Sequence, residues 1–131
     1  MAITKNEGRQ EIIAARVTGT FGTGADIAVA GTYAAVDVPQ GAIVVGGYFY
    51  ISDATTATVD VHVGDGGVTN RYADNVDGAA TGVTALTITG YKYTAPDTID
   101  LLVDTADPAA AGVWELVVEY IVDGRAAFSE G

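Results

Sequence analysis

Residues Val113–Asp123 alternate so strictly that one local structure suits them. Trp114, Leu116, Val118, Tyr120 and Val122 fall on one side of an extended chain; Val113, Glu115, Val117, Glu119 and Ile121 fall on the other. A two-residue repeat of this kind belongs to a β-strand. The first side is wholly apolar, so it is the side to bury. Thr58–Val63 repeats the pattern, with Val59, Val61 and Val63 opposite Thr58, Asp60 and His62.

Similar signals recur along the chain. Ile12–Phe21 is apolar and β-branched, and Asp26–Ala30 is a short apolar piece. Tyr33–Val38 runs into Val38-Pro39-Gln40-Gly41, whose proline at the second position and glycine at the fourth suit a type I turn. Ala42–Ser52 is a long apolar run, and Gly46-Gly47 in its middle predicts a bulge or a close backbone approach. Gly64-Asp65-Gly66-Gly67 predicts a tight turn, Val68–Tyr72 a short strand, and Ala73–Gly82 an exposed, mobile loop. Val83–Thr89 and Thr98–Asp104 read as strands, with Leu86, Ile88, Ile99, Leu101 and Val103 as core candidates; Thr105–Gly112 reads as a loop. About eight strands with no helical period predict an all-β, single-domain antiparallel β-sandwich or jelly roll. The expected division is an N-terminal arm at 1–11, a β-sandwich domain at 12–125 and a C-terminal tail at 126–131.

Composition narrows the function. The 131 residues carry six Lys plus Arg against 17 Asp plus Glu, a net charge of -11. Phosphate backbones repel such a chain, so nucleic acid is not an expected partner. There is no Cys and a single His, which excludes disulfides and thiolate metal sites and argues against zinc. Residues 1–11 contain no apolar stretch of signal-peptide type. No apolar run is long enough for a membrane span. The chain is therefore expected to be made and used without export and without a membrane partner.

Motifs that resemble catalytic ones do not hold up. Gly19-Thr20-Phe21-Gly22-Thr23-Gly24 has the wrong spacing for a dinucleotide loop, and neither a Lys-Ser/Thr pair nor a helical pattern follows it. His62 has only Ser52 and Ser129 as candidate nucleophiles, and neither sits in a nucleophile elbow, so a surface or interface histidine is expected. Glu115 and Glu119 share a strand face, but four strand residues span roughly 13 Å. That is too far for paired glycosidase carboxylates. Asp60, Asp65, Asp74 and Asp77 offer oxygen ligands for calcium without the EF-hand order, and turn chemistry explains loop Asp and Asn residues equally well. No catalytic residue, metal or cofactor is expected.

Two features point to contact surfaces. Residues 1–16 hold three basic residues, Lys5, Arg9 and Arg16, against two acidic ones, whereas the remainder holds three basic and fifteen acidic residues. The arm could order against a neighbour, burying Ile3, Ile12 and Ile13. Tyr48 and Tyr50 alternate with Phe49 and Ile51, so that strand is apolar on both faces. One face fills the core and the other needs a partner. Lys5, Arg9, Ile12, Ile13, Arg16, Tyr48 and Tyr50 are thus the candidate partner contacts. A rival reading makes Tyr48, Tyr50, Tyr91 and Tyr93 a sugar platform, as in a carbohydrate-binding or adhesion module.

The stretch Val36-Asp37-Val38-Pro39-Gln40-Gly41-Ala42-Ile43-Val44-Val45-Gly46-Gly47 resembles the opening of small virion structural proteins of tailed bacteriophages. Val61-His62-Val63-Gly64-Asp65 is similar to their glycine-aspartate turn after a short alternating strand. Val117-Val118-Glu119-Tyr120-Ile121-Val122-Asp123-Gly124-Arg125 is similar to their closing strand followed by Gly-Arg. The resemblance spans roughly residues 33–125. It implies a non-enzymatic head decoration (cement) protein whose partners are the major capsid protein and itself, commonly as a trimer. The implied location is the capsid surface of the virion, with host cytoplasm as the site of assembly. A tail or baseplate role is the implied alternative within the same class.

Overall fold

The computed structural model describes residues 10–123. Lys5 and Arg9, the expected arm and the expected tail lie largely or wholly outside them. Eight strands follow in order: β1 (Ile13–Phe21), β2 (Gly31–Val38), β3 (Ala42–Asp53), β4 (Asp60–Gly64), β5 (Ala73–Asp77), β6 (Gly82–Ala85), β7 (Asp97–Asp104) and β8 (Gly112–Val122). They form two four-stranded antiparallel sheets, ordered β1-β8-β3-β6 and β2-β7-β4-β5.

The order follows a simple rule. β1 pairs with β8, β2 with β7, β3 with β6 and β4 with β5. The chain is one long hairpin folded over on itself, and the pairings β3·β8 and β4·β7 form where the roll closes. This is the winding of a jelly roll.

Periodicity selects the core. Trp114, Leu116, Val118 and Tyr120 of β8 are all buried, as β8's alternation predicts, and they share one core with Val61, Val63, Ile99, Leu101 and Val103 of the second sheet and with Val59 just before β4. Phe21 and Phe49 flank Trp114 with ring centroids 6.5 and 6.4 Å away. Each fully buried aliphatic or Phe side chain contributes about 1.5–3 kcal/mol.

The expected bulge at Gly46-Gly47 is present. The register of β3 on β8 slips between Val44 and Gly46. The slip has a consequence for the whole sheet, because one extra residue exchanges the two faces of a strand. Ala42 and Val44 point inward before it, Phe49 and Ile51 after it. Tyr48 and Tyr50 are thereby turned outward. Gly47 adopts φ +128°, and a Cβ there would overlap the Val117 carbonyl oxygen. The turn after β2 closes one residue later than expected. Ala42 N–H donates to the Pro39 carbonyl, and Gly41 at the third position has φ +90°, which favours glycine as a type II turn does.

Four local expectations are corrected. Val68–Tyr72 is a turn rather than a strand, because the Asp65 carboxylate gathers the Gly67 and Val68 N–H groups at 2.9 and 2.8 Å. Ala73–Asp77 is a strand, not a mobile loop: β5 completes the second sheet against β4, with buried Ala73 and half-buried Val76 packed on the core. The strand expected at Val83–Thr89 ends at Ala85; Leu86 turns into the core, while Ile88 is exposed. Asp26–Ala30 contributes only a single bridge, Ile27 to Phe21.

Candidate interaction faces

A sandwich has two outer faces, and here they differ in chemistry. On the first sheet the outward residues form cross-strand rows. Arg16, Val117, Tyr48 and Ala85 lie in one row; Thr18, Glu115, Tyr50 and Val83 lie in the next. Val113 and Val83 stand 40% and 63% exposed, and Ile121 extends the apolar character toward the end of β8. The charges on this face are few and largely internal. Arg16 Nε donates to Glu115 Oε1 at 2.5 Å, and the Tyr48 hydroxyl lies 3.5 Å from the same oxygen. The Glu115 carboxylate holds the Arg16 guanidinium even further above its ordinary range.

On the second sheet the outward positions carry carboxylates interspersed with Thr32, Ala34, Thr98 and Leu102, and one of the carboxylates, Asp100, is itself buried. Asp37 lies on β2, Asp100 and Asp104 on β7, Asp60 on β4, and Asp74 and Asp77 on β5. No Lys or Arg stands among the outward residues of these four strands. Asp60 sits opposite Asp104 on one side and Asp77 on the other, an arrangement of like charges that costs stability. The Thr105 hydroxyl donates to Asp60 Oδ2 at 2.9 Å and lies 3.3 Å from Asp104 Oδ1, and His62 lies among the same strands. It is buried between two carboxylates, with Nδ1 2.8 Å from Asp74 Oδ1 and Nε2 3.2 Å from Asp104 Oδ1. Of the expected surface or interface position, the surface one is corrected: His62 is buried in this chain, with partners that flank it from β5 and β7.

At one end of the sandwich a polar knot fixes the loops. Asp65 is buried and accepts from Gly67 N–H, Val68 N–H, Arg71 Nε at 2.5 Å, Arg71 Nη2 at 3.3 Å and the Tyr93 hydroxyl at 2.7 Å. Burial alone would raise the Asp65 pKa. Arg71 and the other donors outweigh it and hold the carboxyl below its ordinary range. Tyr93 is shifted strongly upward, first by burial and then by Tyr72 and Asp65, so it stays protonated. Its hydroxyl also meets that of Tyr72 at 2.8 Å. Arg71 covers the Tyr91 ring at 3.6 Å, and Tyr91 meets Tyr93 edge-on. Sequence reasoning missed this knot. The Gly64-Asp65-Gly66-Gly67 turn signaled its first member, but nothing local ties Asp65 to Tyr93.

The structure thus brings Arg16, Tyr48 and Tyr50 onto one face. Ile12 lies just outside β1 and is 60% exposed. Ile13 turns inward and packs on the core. Tyr93 is buried in the knot, so the four-tyrosine sugar platform does not assemble. The shallow grooves bring together no nucleophile and base: one is lined by Asp74, Asp77 and Thr84, another by Lys92, Tyr93 and Asp123. Among the described residues no three His, Asp or Glu side chains are grouped to hold a metal ion.

Fold and faces together define a jelly-roll module with one acidic and one apolar-aromatic face. No protein-family model matches the chain, and no curated protein matches it in sequence. Solved structures do match in fold. A chain from the acidic stable capsid structure of Helicobacter pylori bacteriophage KHP30 superposes with a TM-score of 0.61, at 22% identity over 86% of this chain and 93% of its own. A chain from the capsid asymmetric unit of cyanophage Pam1 gives 0.64, at 23% identity over 93% and 91%. A chain from the capsid of Ralstonia phage GP4 gives 0.65, at 18% identity over 98% and 92%. At these identities the likeness is one of fold.

Proposed function

We propose that this protein is a non-enzymatic structural component of a tailed-phage virion, a decoration protein that binds the outside of the capsid shell. The observation that carries this reading is the division of chemistry between the two faces. The outer face of β1-β8-β3-β6 offers Tyr48, Tyr50, Val83, Val113 and Val117 for burial. The outer face of β2-β7-β4-β5 offers carboxylates, which lose most on burial and belong in water. A protein that must adhere by one side and stay soluble by the other is built this way. The fold likeness to chains from three phage capsids supports the same reading. Binding would be mechanical, with each copy bridging shell subunits and many weak contacts adding up over the particle. A homotrimer is the proposed form.

The test is to mix purified protein with capsid shells that lack it, sediment them, and heat the particles. Saturable co-sedimentation and greater heat resistance are expected. Failure to sediment with the shells, together with binding on a glycan array, would replace this reading with the adhesion one.

A further inference from the structure

A two-sheet sandwich has four edge strands: β1 and β6 on the first sheet, β2 and β5 on the second. Unpaired edges invite strand addition, so proteins shorten, bend or charge them. Three of the four are protected in these ways. β6 has only 4 residues. β5 has 5, carries Asp74 and Asp77, and has Asn75 at φ +50°. β2 carries a bulge between Ala34 and Val36 and runs into Pro39. β1 is different. It is 9 residues long, its register on β8 is unbroken, and it holds neither Pro nor an inward charge.

The open part of β1 can be located by residue. Thr20 turns its backbone away from β8: its N–H donates to Asp26 Oδ2 at 3.0 Å and its carbonyl accepts from Ile27 N–H at 3.1 Å. Backbone direction alternates along a strand, so Ala14, Arg16 and Thr18 also point outward. Their N–H and C=O groups have no partner among the described residues. They form a ladder-ready edge of about 13 Å, closed at one end by the 22–27 loop.

We propose that this edge receives residues 1–9 of a second copy as an added strand. Charge selects that segment. Residues 1–9 carry Lys5 and Arg9 against Glu7 alone, whereas residues 10–123 carry three basic and fifteen acidic groups. A copy's body therefore repels another body and attracts the other's first residues. Nine residues are also enough to span the open edge. Main-chain hydrogen bonds supply the affinity, as in other strand-addition complexes. The proposal concerns self-association and does not rest on the capsid reading; it can be tested without shells.

The experiment is amide hydrogen exchange on the full chain over a range of concentrations, with size measured by light scattering. Slow exchange at Ala14, Arg16 and Thr18 is expected, rising with concentration alongside particle size. Removing residues 1–9 should return these amides at least tenfold toward the open-edge rate and leave a particle the size of one shortened chain. Thr18→Pro should do the same at Ala14 and Arg16 with the first residues intact, because it deletes an outward donor that β8 does not use. Fast exchange at all three amides in the full chain would overturn the proposal. So would concentration-independent protection in a monomer, which would mean the segment folds onto its own edge.

Discussion

Asp65 accepts five hydrogen bonds at its two carboxylate oxygens, two of them from the guanidinium of Arg71. Removing the charge leaves Arg71 and Tyr93 facing a neutral group in a buried site. Asp65→Asn is expected to cost about 3–5 kcal/mol, measured by denaturant unfolding. Because the folded pKa lies below the unfolded value, the stabilisation is complete above the ordinary carboxylate range. It is lost as pH falls through the folded value. The gap between wild type and Asp65→Asn should therefore be full above about pH 5 and narrow below about pH 4. A gap that stays constant down to pH 2 would contradict the pairing. Asp100 has the opposite sign. Burial raises its pKa, and repulsion from Asp97 and Asp65 adds to that although Thr98 lowers it. Its ionised form is a cost at neutral pH that acid relieves, so Asp100→Asn should gain stability at pH 7 and lose that advantage in acid. Little of this was legible in the sequence. Asp65 announced a turn, but its partnership with Arg71 and Tyr93 depends on tertiary approach, which no local pattern carries.

At the scale of elements, β8 was legible because it is central and half of it is core: alternation survives only where one face is buried. β5 was not. It is an edge strand whose outward positions are Asp74 and Asp77, and the residues that protect an edge are the residues that make turns. Limited proteolysis distinguishes the two readings. Ala73–Asp77 should resist cleavage, and early cuts there would restore the loop. The bulge in β3 was legible as a bulge, yet its effect on facing was not, because parity after Gly47 depends on where the slip falls. Gly47→Ala places a methyl group against the Val117 carbonyl at a positive φ. Backbone strain of this kind costs about 1–3 kcal/mol, and steric overlap adds to it. A thermal-unfolding midpoint equal to wild type would show that β3 tolerates another register.

Over the whole molecule, the apolar surplus and the acidic balance seen in composition become spatially separate. Tyr48, Tyr50 and Val83 gather on one side, while Asp60, Asp74, Asp77 and Asp104 gather on the other. The central claim is that the first side is covered on a capsid shell and the second is not. The chain contains no cysteine, so a single introduced thiol is a unique reporter. Val83, on β6, and exposed Asp37, on β2, lie on different sheets at opposite edges of the sandwich, and Val83→Cys and Asp37→Cys mark one face each. The decisive measurement is the rate of thiol alkylation in free protein and in protein bound to shells. Val83→Cys should react at least tenfold more slowly when bound, while Asp37→Cys should react at the same rate in both states. Equal reactivity of Val83→Cys in the two states, or protection of Asp37→Cys instead, would contradict this orientation.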